Sequence, residues 1–149
     1  MNPSRVTLSH LGIAVNAPEE VLKLLNILGL TKSHEEKVTS QGVMTHFVDL
    51  DGSAPTLELL EPLKESGPDA VIAKYLATKG PGVHHLAFQV KAPERLSSLC
   101  EELSIKGYRL IYPKPVKGAH GALVNFIHPR SAGGLLFELL EFCSETDEK

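Results

Sequence analysis

The phrase that opens this chain is written a second time in its other half, and a duplicated unit constrains the fold more than any composition does. From His10 the register is His-Leu-x-x-x-Val-x-Ala-Pro-Glu, and from His85, 75 residues on, it is the same. The two copies also end alike, with Leu57-Glu58-Leu59-Leu60-Glu61 in the first and Phe137-Glu138-Leu139-Leu140-Glu141 in the second. The offset of the endings is 80, so the second copy has gained about five positions inside it. Two copies are too few for a solenoid, which points to two modules paired inside one domain. A chain of 149 residues is long enough to bury one sizeable core.

Each copy reads as βαβββ. Val6 to Val15 alternates as a strand, and Ala17-Pro18-Glu19-Glu20 then starts a helix, with proline near the first helical position and acids in the first turn. Val21, Leu24, Leu25 and Leu28 supply its apolar face, and Gly29 ends it. Strands are expected at about 32–38, 43–50 and 55–61, with Asp51-Gly52 turning between the last two. The second copy predicts a strand at 83–90, a helix at 93–106 ended by Gly107, and strands near 108–111, 122–128 and 134–142. Asp69 to Thr78 reads as a linking helix between Gly67-Pro68 and Gly80-Pro81. The expectation is a single domain over 1–149, with module one at about 5–62, the linker at about 67–79 and module two at about 82–142. Its class is α+β, and the terminal Ser-Glu-Thr-Asp-Glu-Lys is expected to fray.

Strand side chains alternate faces, which divides each opening phrase into a bulky side and a lean one. Leu11, Ile13 and Val15 suit packing against the module's helix, whereas His10 shares its face with Gly12 and Ala14. In the second copy Leu86, Phe88 and Val90 are bulky, and His85 lies with Ala87 and Gln89. The lean faces read as cavity lining. Glu58 and Glu138 sit in the middle of apolar closing strands, where a buried carboxylate needs a partner, a proton or a metal. Two histidines and two glutamates at matching positions of a repeat, His10, Glu58, His85 and Glu138, make a ligand set for one divalent ion, such as Co²⁺, Zn²⁺, Ni²⁺, Mn²⁺ or Fe²⁺. His34, His46, His120 and His128 have no such counterparts and are expected at the surface or a pocket edge. His84 falls on the bulky face and matches Ser9 of the first copy, with no role legible in the sequence.

Composition excludes several classes. A net charge of −3 with no arginine–lysine block argues against a nucleic-acid partner, and no apolar run is long enough to span a bilayer. Two cysteines and an N-terminal stretch without a signal-peptide core point to a reduced, cytoplasmic setting.

The segments LSHLGIAV, SQGVMTHFVDL, LELLEPL, GVHHLAFQV, VKGAHG and FIHPRSAGGLLFELLE resemble the vicinal-oxygen-chelate superfamily (glyoxalase, bleomycin-resistance and dioxygenase proteins). Within it they are most similar to the methylmalonyl-CoA epimerase family. The resemblance implies paired βαβββ modules in a cupped mixed sheet around one divalent metal, carried on the positions of His10, Glu58, His85 and Glu138. It implies inversion at the α-carbon of an acyl-CoA through an enolate, with Glu138 as one proton carrier, and it implies a homodimer. The family pattern places a glutamate base just before the Gln-Gly-Val of the first module, where this chain has Ser40. A serine hydroxyl is no carboxylate base near neutral pH, so Ser40 relaying a water, or Glu58 itself, is left for the second role. Lys117, His120 and Arg130 are the candidates for contacts to the CoA portion. The rival readings are a glyoxalase I-type lyase or isomerase acting on a methylglyoxal–thiol adduct, against which the His128-Pro129-Arg130-Ser131 turn speaks, and a metal-free small-ligand binding protein.

Overall fold

The structure is a computed structural model, and it describes residues 2–52 and 55–143. The C-terminal segment expected to fray therefore lies outside the described residues. The elements run β1 (Val6–Ala14), α1 (Pro18–Ile27), β2 (Lys32–Val38), β3 (Val43–Asp49), β4 (Thr56–Pro62), α2 (Val71–Lys79), β5 (Gly82–Val90), α3 (Leu96–Ile105), β6 (Val116–Lys117), β7 (Leu123–Ile127) and β8 (Phe137–Glu141), with short 3₁₀ turns between. The class is α+β, and the pairing is mixed: β1 with β4 and β5 with β8 are parallel, whereas β2–β3, β3–β4, β6–β7 and β7–β8 are antiparallel.

The chain divides into two compact units, one formed by His10–His84 and the other by Met1–Ser9 with His85–Lys149. In the His10–His84 unit the strand order is β2-β3-β4-β1. α1 opens with Pro18 at its first turn, as the sequence predicts, and Gly29 ends it at φ +84°. Its apolar face differs from expectation. Val21, Leu22 and Leu25 are partly buried, whereas Leu24 and Leu28 are exposed. The opposite sheet face is covered at one end by α2: Ala14, Val43, Leu60 and Ile72 form a buried cluster with Val38, Tyr75 and Leu76 around it. The lean side of β1 is thus filled core at Ala14 and half-buried only toward His10. The turn before β3 needs Gly42, which has φ +68° and lies so close to the connection that a Cβ there would come within 2.9 Å of Ser66 Cβ.

The other unit has the order β5-β8-β7-β6. Its bulky face packs on α3 as predicted, with Val90, Leu96, Leu99, Cys100 and Leu139 buried together. Val6 packs on this cluster, and Arg5 bonds Glu94 and Glu102, which joins the first residues of the chain to this unit. α3 starts three residues later than the Ala-Pro-Glu phrase predicts. The buried Glu141 carboxylate accepts the Leu96 backbone N–H at 2.7 Å and pairs with Arg95 at 2.8 Å, so a long-range contact fixes the first turn. The strand expected near 108–111 is reduced to one bridge, Leu110 with Ile127. Asn125, fully buried, replaces the next strand pair with its side chain, accepting from Tyr112 N–H at 3.1 Å and donating to Tyr112 C=O at 3.0 Å. The short β6 lies outside the strands that the sequence predicts, and β8 begins at Phe137 rather than 134 because Gly133 and Gly134 take positive φ.

Candidate metal centre

Strand register explains how each histidine reaches its glutamate. In the parallel β1–β4 pair, Glu58 stands opposite Gly12, and His10 stands opposite Thr56. Glycine leaves the space beside Glu58 empty, so the diagonal imidazole can lean across. His10 Nε2 lies 2.6 Å from Glu58 Oε2, and both side chains are largely shielded, at 13% and 14% exposure. In the β5–β8 pair Glu138 stands opposite another small residue, Ala87. There His85 Nε2 is 3.2 Å from Glu138 Oε2, with side-chain exposures of 10% and 13%. Each unit therefore carries one histidine–glutamate half-site built the same way.

The donor set fits a divalent cation. Glu58 Oε2 is buried and has no hydrogen bond, although the imidazole nitrogen is close by. A proton or a metal ion can be shared by two Lewis-basic atoms so placed, and imidazole with carboxylate suits a borderline divalent ion.

The walls of the half-sites are aromatic and apolar. Phe47 stands opposite Glu58 on β3, and His34 stacks on it with ring centroids 4.2 Å apart. Phe126 stands opposite Glu138 and meets His85 edge-on at 6.5 Å. Phe126 packs against the buried cluster of Ala87, Ala122, Val124 and Leu140.

The remaining residues singled out in the sequence are placed as follows. Ser40 is exposed on the 3₁₀ turn Thr39–Gln41. Lys117, His120 and Arg130 are exposed, Lys117 on β6 and the other two on 3₁₀ turns, with His120 held at φ +56°. His128 accepts the Arg130 backbone N–H at 3.1 Å, and His84 meets Tyr75 of α2 edge-on at 5.0 Å. His46 departs from the surface role expected of it. It is buried, with Nε2 at 3.0 Å from Glu61 and Nδ1 at 3.3 Å from Glu35, on the sheet face opposite Glu58. Lys32, with His46 adding to it, holds the Glu35 carboxyl below its usual range. Glu61 and Glu141, the last letters of the two repeat endings, thus do different work: one holds His46 and the other the first turn of α3. Neither partner lies near its glutamate in the sequence, so no local signal announces them.

Known proteins match this chain in sequence and in fold. Residues 9–126 match the Glyoxalase/Bleomycin resistance protein/Dioxygenase superfamily, and the chain belongs to it. A protein of Bacillus subtilis without an assigned activity, YqjC, is 37% identical over 135 residues, covering 90% of this chain and 91% of its own. The mitochondrial methylmalonyl-CoA epimerase of Homo sapiens is 35% identical over 134 residues, 89% of this chain and 72% of the human one. A methylmalonyl-CoA epimerase solved with methylmalonyl-CoA and NH4+ superposes with a TM-score of 0.81 at 30% identity, over 95% of this chain and 97% of that one. Among the described residues no helix is long and apolar enough to cross a membrane.

Proposed function

We propose that this chain is a metal-dependent epimerase that inverts the α-carbon of methylmalonyl-CoA or a close acyl-CoA relative. The observation that carries the reading is the pair of half-sites, His10 with Glu58 and His85 with Glu138, in a chain about one-third identical to epimerases of that name. A divalent ion, in this reading, would take its ligands from these four side chains. When bound, that ion supplies Lewis-acid polarisation of the substrate thioester oxygen.

The chain's own residues do the rest. The substrate's α-hydrogen lies between a thioester carbonyl and a carboxylate, so its removal leaves an enolate. Glu138 has the chemistry to carry a proton to or from that carbon, and its shielded position keeps bulk water from competing. Phe47 and Phe126 exclude solvent beside the two glutamates. Lys117, His120 and Arg130 are the side-chain donors for the phosphates of CoA.

The test is incubation of the Co²⁺-loaded protein with one epimer of methylmalonyl-CoA in D₂O, following α-deuteration and inversion. Both are expected. Absence of both, with turnover of a methylglyoxal–thiol adduct instead, replaces this reading with the glyoxalase one.

A further inference from the structure

We propose that Arg109 is a substrate-binding residue that holds the phosphates of CoA together with Arg130. The proposal rests on the epimerase reading above and adds to that substrate site a cation on the sheet face of Glu138.

Register supplies the placement, all of it within the unit that contains His85–Lys149. The segment after α3 runs antiparallel along the edge of β7. Leu110 bridges Ile127, the Ile111 N–H donates to the Phe126 carbonyl at 2.9 Å, and the Arg109 carbonyl accepts the His128 N–H at 2.8 Å. Leu110 and Ile127 pack against the apolar cluster of α3. Neighbours in extended chain point the other way, so Arg109 and Ile111 share a face with His128 and Phe126. That face also carries Glu138, which stands opposite Phe126 on β8. Two strand spacings of about 4.8 Å, and two residues of about 3.3 Å each, put the chain at Arg109 roughly 12 Å from the chain at Glu138. The pantetheine arm holds the phosphates of CoA well away from the thioester. A cation meant for them therefore belongs at this remove from Glu138 rather than beside it.

The backbone brings Arg130 to the same corner. Arg109 N–H donates to Ser131 Oγ at 2.9 Å, and Arg130 N–H donates to His128 Nδ1 at 3.1 Å. Both arginines are exposed. The sequence around them is segregated by charge: Leu103 to Leu136 holds five lysines and arginines and no acid, in a chain that has 10 cations and 18 acids elsewhere. Lys106 pairs with Glu102 at 3.1 Å, whereas among the described residues no carboxylate engages Arg109 or Arg130. Two guanidinium groups without a protein counter-charge suit a polyanion, since each fork can take two phosphate oxygens. A lone malonyl carboxylate would leave one of them unmatched.

Substrates with and without phosphates isolate this role. Co²⁺-loaded wild type, Arg109→Ala, Arg109→Lys and the control Lys106→Ala are each given methylmalonyl-CoA and methylmalonyl-pantetheine, and each is titrated with coenzyme A by calorimetry. Arg109→Ala is expected to lose about tenfold in kcat/KM on methylmalonyl-CoA, chiefly through KM, and to bind coenzyme A about tenfold more weakly. On methylmalonyl-pantetheine it stays within about threefold of wild type. Arg109→Lys falls between, because it keeps the charge and loses the fork. Lys106→Ala stays within about threefold of wild type in every measurement. Coenzyme A binding by Arg109→Ala within about threefold of wild type overturns the proposal, as does a wild type that binds no coenzyme A. An equal loss on the two thioesters also overturns it, by moving Arg109 to the acyl end or to the fold. A wild type that binds coenzyme A but inverts neither thioester overturns the epimerase reading instead, and the calorimetric comparison then decides on Arg109 alone.

Discussion

His10 and Glu58 meet at 2.6 Å because Gly12, not His10, stands opposite Glu58 in the β1–β4 register. The same device recurs where Ala87 stands opposite Glu138. A small residue facing each glutamate is therefore part of the site, since it frees the diagonal approach of the histidine. Replacing Gly12 by valine is expected to displace that approach and lower bound divalent metal at least about tenfold, as His10→Ala, Glu58→Ala and His85→Ala should do by removing a ligand. Metal analysis after dialysis reads this directly. Full metal content in His85→Ala would refute the four-residue set.

Much of this was legible in the sequence, and the reason is the repeat. Matching letters at two places mark the histidine and glutamate of each half-site and the lean strand faces. Long-range partnership was not legible. His46 looked like a surface histidine because Glu35 and Glu61 meet it only through strand register. The late start of α3 depends on Glu141, 45 residues downstream of Leu96. The strand expected at 108–111 reads correctly as extended chain, but one side chain, Asn125, takes over its pairing.

Ser40 stands where the family pattern has a glutamate base. It is exposed on the turn before β3. An exposed hydroxyl carries no proton to or from carbon near neutral pH, so Ser40→Ala is expected to epimerise within about threefold of wild type, and Ser40→Glu should bring no gain beyond the same margin. A rise of tenfold or so in Ser40→Glu would return the role to position 40.

The turn itself is unforgiving two residues later. Gly42 has φ +68°, and a Cβ there would lie 2.9 Å from Ser66 Cβ and 3.2 Å from Ala70 Cβ. Gly42→Ala incurs both a backbone penalty and a clash, for a destabilisation of about 1–3 kcal/mol in urea unfolding. Ser40→Ala, on the same turn but exposed, should change stability by less than about 0.5 kcal/mol.

Arg5 makes stability depend on acid in a predictable direction. It holds the Glu102 carboxyl below its usual value of 4.5, with Lys106 adding to the effect. A lowered carboxyl contributes stability that is present above that usual value and lost as pH falls through its folded-state range. Arg5→Ala should therefore be less stable than wild type at neutral pH, with the gap closing as the solution is acidified below 4.5. These groups are exposed, so about 1 M salt should narrow the gap at neutral pH as well. A gap that widens on acidification would contradict the assignment.

Asn125 offers the sharpest test of side-chain pairing as a substitute for a strand. Its amide gives and takes a hydrogen bond with Tyr112, and its oxygen also accepts the Phe126 N–H at 2.8 Å. Asn125→Ala strips all three in a fully buried position, for an expected loss of about 2–3 kcal/mol. Asn125→Asp is nearly isosteric and keeps the acceptor, but it turns a carboxylate oxygen toward the Tyr112 carbonyl and buries a charge. It should destabilise at least as much as alanine near neutral pH and recover on acidification, where a protonated carboxyl can donate to Tyr112 as the amide does. Urea midpoints of the two variants at pH 7 and pH 5 measure this. Equal stability of Asn125→Asp and wild type at neutral pH would mean that the Tyr112 segment is held by its Leu110–Ile127 bridge alone.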